Sequence, residues 1–162
     1  MCFCAENALY SCSLSRSSAM KPGSPFMEKT ILIVDDAAPV RELLASALSK
    51  RGYSVTAAES AQAALDKLQE NYYHVMFVDL HMPDMSGVEL CEKIRRSYPL
   101  AFMYAMTAYV SIFALTECRE AGFDDYFVKP VNIEIFDRAA KEAFEKIQRW
   151  SSKPGSACPV VV

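Results

Sequence analysis

The chain has 162 residues, 52% of them hydrophobic and 23% charged, enough to bury one core of ordinary size and little more. A formal net charge of −3 leaves no basic stripe to neutralise nucleic-acid phosphates, so no direct nucleic-acid partner is expected. No run of about 20 apolar residues is present to span a bilayer, and no basic segment followed by an apolar stretch opens the chain, so neither membrane insertion nor secretion is expected.

Of the six cysteines, Cys2, Cys4 and Cys12 lie in a ragged N-terminal tract, Cys91 and Cys118 fall in helical patterns and Cys158 is near the end. This scatter is not a disulfide framework, and no second pair follows Cys2 and Cys4 at zinc-ligand spacing. Reduced thiols and a cytoplasmic setting are expected.

Residues 1–26 are rich in Ser, Cys and Ala without periodicity and end on Lys21-Pro22-Gly23-Ser24-Pro25, so they read as a disordered extension or a remnant upstream of the domain. From Thr30 two kinds of segment alternate. Thr30 to Val34 is a continuous apolar run suited to a strand buried on both faces, whereas Pro39 to Arg51 carries Val40, Leu43, Leu44, Ala47 and Leu48 at helical spacing. The pattern repeats with a strand at 53–57, a helix at 61–70, a strand at 74–79 and a helix at about 88–97. A strand at 101–106, a helix at about 111–121, a strand at 126–128 and a helix at 133–150 complete five units. Residues 151–162 have the composition of a flexible tail.

Strand and helix in strict alternation, joined by short connections, predict an α/β fold: a doubly wound, five-stranded parallel sheet covered on both faces. In such sheets functional groups gather beyond the carboxyl ends of the strands. Those ends carry Asp35 and Asp36 after the first strand, Asp79 closing the third, Thr107 after the fourth and Lys129-Pro130 after the fifth. Crowded carboxylates repel unless a cation sits among them, and hard oxygen ligands suit Mg²⁺. Singly, each feature has a plainer reading as a turn, a helix cap or a solvated charge; together, in order, at the ends of four strands, they point to one site. Asp84, Asp124 and Asp125 read as surface or turn residues, and His74 and His81 as structural.

The segments ILIVDD (31–36), VDLHMPDMSG (78–87), MTA (106–108) and VKP (128–130) resemble the receiver domains of two-component response regulators, over about three quarters of the chain. The resemblance implies the flavodoxin-like strand order 2-1-3-4-5. It implies a receiver domain over 27–150, with Asp79 as the phosphoacceptor. Asp36 would hold Mg²⁺ directly, Asp35 partly through water, and the backbone carbonyl of His81 would add a ligand. Lys129 would pair with the phosphoryl group and Thr107 would hydrogen-bond it. The Lys129-Pro130 bond would be cis, and Tyr126 would be the aromatic that turns inward with Thr107. His81 and Tyr109 would tune hydrolysis, a bulky Tyr109 slowing it, and Ala37 stands where many receivers carry a third acid.

The same resemblance implies a switch that assists its own phosphorylation and dephosphorylation rather than an enzyme, and the short tail after Trp150 adds the expectation that it is stand-alone. Its partners would be a sensor histidine kinase or histidine phosphotransfer protein, and a downstream protein docking on the fourth helix, fifth strand and fifth helix. The last helix is expected to bury Phe136, Ala139, Ala140, Ala143, Phe144 and Ile147, presenting Glu134, Asp137, Arg138, Lys141, Glu142 and Glu145. A monomer or weak phosphorylation-dependent dimer is expected. A Mg²⁺-dependent small-molecule phosphatase is disfavoured, because the position two residues after the nucleophile is His81 and not an acid.

Overall fold

The computed structural model describes residues 28–108, 111–130 and 132–151, so the expectations for residues 1–26, for Tyr109 and for the tail from 152 fall outside the described residues. The elements alternate without exception: β1 (Thr30–Val34), α1 (Ala38–Ser49), β2 (Ser54–Ala58), α2 (Ala61–Glu70), β3 (Val75–Asp79), α3 (Gly87–Ser97), β4 (Phe102–Thr107), α4 (Ile112–Ala121), β5 (Asp125–Val128) and α5 (Ile133–Ser151). All pairings are parallel, in the order β2-β1-β3-β4-β5.

The unbroken apolar runs of β1 and β3 have a direct cause: successive side chains point to opposite faces, and both faces are covered. Leu32, Val34, Met76 and Val78 join one core with residues of α2, α3 and α4, among them Leu68, Leu90 and Cys118. Ile31, Ile33, Val75 and Phe77 join the other with Leu44 and Leu48 of α1 and Phe136, Ala140 and Phe144 of α5. Order reverses between β1 and β3, whose carboxyl ends therefore open on a crevice.

Four readings of the sequence are corrected. Leu43 stands at helical spacing but is 53% exposed, because Leu44, one position on, takes the core seat. Tyr53 precedes its strand and stacks on Phe144, with ring centroids 5.7 Å apart. Asp137, a third exposed on α5, is paired with Arg51, 3.3 Å away, and so is less available than its helix position suggests. Ser151 ends α5 instead of opening the tail.

The β3–α3 loop is tied back onto the strand it leaves. Gly87 donates its amide to the Leu80 carbonyl at 3.1 Å, and Ser86 and Glu89 form a reciprocal capping box at the start of α3. A Cβ on Gly87 would collide with the Asp79 carbonyl oxygen and lie 2.9 Å from Leu80 Cα, so only glycine allows this approach. Gly87→Ala is expected to destabilise the fold by about 1–3 kcal/mol in urea titration, since backbone and not a flexible side chain must give way. A parent-like midpoint would contradict the close approach.

Cys91 and Cys118 are free and buried, and burial pushes the Cys91 thiol up to about 12 and the Cys118 thiol upward as well. Both are therefore expected to resist iodoacetamide in the native protein and to react in urea, as peptide mapping would show.

Candidate functional site

Because every strand is parallel, the residues that end them meet at one edge of the sheet. Asp35 is fully buried just beyond β1, Asp79 is 4% exposed at the end of β3, and Thr107 is 2% exposed at the end of β4. Asp36 is exposed beside them. Lys129 arrives from β5 and bridges the first two, its Nζ lying 2.8 Å from Asp35 Oδ2 and 2.9 Å from Asp79 Oδ2. Its amide donates to the Thr107 carbonyl at 2.7 Å, fastening the start of the β5–α5 turn to the end of β4.

The Asp35 carboxylate is divided between two tasks. Oδ1 accepts from the Ala37 amide at 2.9 Å, holding the turn into α1. Oδ2 is sealed from solvent and receives no well-directed hydrogen bond; the ammonium charge beside it is its compensation. Burial by itself lowers the Lys129 pKa, but the Asp35 and Asp79 carboxylates beside the ammonium outweigh it and raise the value above 10.5, so the ammonium stays charged at neutral pH.

Three carboxylates against the Lys129 ammonium and the nearby Arg41 guanidinium still leave a deficit of positive charge. One ligand oxygen from each of Asp35, Asp36 and Asp79 lies within 4.8 Å of the others. An all-carboxylate set of this size, open to solvent on the Asp36 side and with a buried oxygen lacking a directed donor, fits a hard divalent cation.

The remaining expected residues are placed as follows. The His81 amide donates to Asp79 Oδ1 at 3.3 Å, which brings the backbone of residue 81 to the site while the residue itself is exposed. The Lys129-Pro130 bond is cis. Tyr126 is 36% exposed on β5, lining a groove of about 350 Å³ with Val128, Pro130, Ile135 and Phe136. His74 lies at the far end of the sheet, its Nδ1 2.9 Å from Thr30 Oγ1.

Two residues escaped the sequence reading. Asp124, read as a surface or turn residue, takes Arg95 at 2.6 Å and the Met103 amide at 2.8 Å on the same oxygen, pinning β4 to α3. Arg41, from the first turn of α1, donates through Nη1 to the Asp35 carbonyl at 2.7 Å. An arginine in a helix gives no sign in sequence of reaching back to a strand end.

Residues 31–141 match the family model of the response regulator receiver domain. Among curated relatives, a cyclic di-GMP phosphodiesterase of Thermotoga maritima is 39% identical over 106 residues, 65% of this chain and 28% of that protein. The virulence sensor protein BvgS of Bordetella pertussis is 30% identical over 145 residues, 85% of this chain and 12% of that protein. The chain thus spans well under a third of either relative. A CheY-like receiver domain from Methanospirillum hungatei superposes with a TM-score of 0.71 at 30% identity, covering 76% of this chain and 99% of that one. The chain belongs to the response regulator receiver domain family of two-component signalling.

Proposed function

We propose that this protein is a cytoplasmic switch whose Asp79 accepts a phosphoryl group from a sensor histidine kinase or a histidine phosphotransfer protein. The observation that carries this reading is the Lys129 ammonium spanning Asp35 and Asp79 beside the exposed Asp36. Asp79 combines the two features an acceptor needs: it ends a central strand, which fixes it, and it faces the crevice, which lets a donor approach.

Asp35, Asp36, Asp79 and the carbonyl of His81 are the residues that would hold Mg²⁺. Bound there, the ion would neutralise carboxylate and phosphoryl charge, the main contribution needed in this class of transfer. Asp79 supplies the attacking oxygen; its bond to phosphorus forms as the donor's phosphorus–nitrogen bond breaks and the imidazole leaves. Lys129, already at 2.9 Å, follows the new negative charge from carboxylate to phosphoryl oxygen, and Thr107 offers its hydroxyl. His81 and Tyr109 are the residues assigned to set the lifetime of the acyl phosphate.

The output follows from the connection between Lys129 and Thr107. Drawing both toward the phosphoryl group pulls on the ends of β4 and β5, and Tyr126 has room in its groove to turn inward. The partner surface of this reading is α4, β5 and α5, where Tyr126, Val128 and Ile135 offer exposed apolar area beside the charges of α5. The domain is taken to span residues 27–150 and to act as a monomer or a weak phosphorylation-dependent dimer.

Acetyl phosphate with MgCl₂ is expected to add one phosphoryl group, mapped to Asp79 by mass spectrometry, and Asp79→Asn is expected to remove it. Undiminished labelling in Asp79→Asn would sink the assignment. Mg²⁺ is expected to raise the melting temperature, because it binds the folded cluster alone. Asp36→Asn should abolish that rise, and Asp35→Asn should affect Mg²⁺ affinity less in calorimetry. Equal Mg²⁺ affinity in Asp36→Asn and the parent would contradict the ligand set.

A further inference from the structure

Asp36 is exposed, so its direction is set by its backbone and not by packing. The peptide that carries it is the one whose oxygen belongs to Asp35, and that oxygen accepts Arg41 Nη1 at 2.7 Å. Three bonds hold this short turn: Asp35 N to the Ala58 carbonyl at 3.2 Å, Ala37 N to Asp35 Oδ1 at 2.9 Å, and the guanidinium. The first fixes the peptide before Asp35, and the second, through the Ala37 amide, fixes the peptide that follows Asp36. The third is the one that acts, among the described residues, on the peptide plane that leads into Asp36.

The surroundings argue against a merely decorative arginine. Its side chain is 16% exposed, so much of it has been taken from water. It stands in the first turn of α1, which contains no acidic residue and has Ala37 at the N-cap without a side-chain cap, so the helix dipole opposes a cation there. Its carboxylate neighbour, Glu59, is 4.0 Å away and 77% exposed, too loose a pair to account for the placement. The backbone carbonyl is the strong partner.

Building on the cation site of the proposed function, we propose that Arg41 is a positioning residue that sets Mg²⁺ affinity by holding the Asp35–Asp36 peptide, and with it the Asp36 carboxylate, in its ligating direction. Outer partners of this kind restrict first ligands that would otherwise swing. The sign of the effect separates this role from a purely electrostatic one. Removing a positive charge next to three carboxylates would by Coulomb's law tighten Mg²⁺ binding; removing a clamp weakens it.

The test uses the full chain and MgCl₂ in calorimetry, followed by acetyl phosphate labelling over a Mg²⁺ series. Arg41→Ala is expected to weaken Mg²⁺ about tenfold. The half-saturating Mg²⁺ for labelling should rise in step, while the rate at saturating Mg²⁺ stays close to the parent's. Arg41→Met, which keeps the stem's packing and donates nothing, should behave alike and decides the matter if the alanine variant does not fold. Glu59→Gln should bind Mg²⁺ as the parent does. Unchanged or tighter Mg²⁺ binding in a folded Arg41 variant overturns the proposal, as does a loss of the same size in Glu59→Gln. If the parent neither binds Mg²⁺ nor labels at Asp79, the proposed function fails and takes this inference with it. A parent that does both, with parent-like Arg41 variants, overturns this inference alone.

Discussion

Carboxylates buried at the ends of neighbouring strands would force each other apart without a charge between them, and the Lys129 ammonium is that charge. At 2.8 Å from Asp35 and 2.9 Å from Asp79 it joins the ends of β1, β3 and β5. Burial opposes the arrangement; the two anions more than restore the lysine's proton affinity. A pair of this kind contributes little net stability once desolvation is counted, while loss of one partner leaves an uncompensated charge in the interior. Its value is geometric, since it holds the acids close enough together to want a further cation.

That demand can be placed at a sheet edge only because the sheet itself is secured elsewhere. Two apolar cores, one on each face, take Leu32, Val34, Met76 and Val78 on one side and Ile31, Ile33 and Phe77 on the other. The central strands are thus anchored along their length, and the loops at their carboxyl ends are free to carry polar groups. Where a loop does have to be restrained, backbone contacts do it: Gly87 folds the β3–α3 loop onto Leu80, and Arg95 with Asp124 ties α3 to β4 and to the Gly122 carbonyl.

The same site also has a mechanical side. The 2.7 Å bond from Lys129 N to Thr107 O means that the amine facing the acids and the buried hydroxyl are on directly linked strands. In the proposed switch, a change of charge at Asp79 would act on both, and beyond them on Tyr126 and its groove. Under that proposal chemistry and output are thus adjacent parts of one hydrogen-bonded edge, and the coupling requires no long path.

The fold class and most of the site were readable in the chain itself. A buried parallel strand must be apolar throughout and a covering helix must be amphipathic, so the alternation, the sheet and the strand ends at Asp35, Asp36, Asp79, Thr107 and Lys129 follow from local pattern. Sequence placed these groups at one edge but did not pair them. Tertiary structure decided that Lys129 serves Asp35 and Asp79 together, across 50 residues in the latter case, and that Leu43 yields its core seat to Leu44. It also decided that Asp137 pairs with Arg51, that Asp124 anchors a strand and that Arg41 grips a carbonyl. Periodicity reports which side of an element is apolar; a long polar side chain's partner depends on distances between elements, and those exist only once the elements have packed.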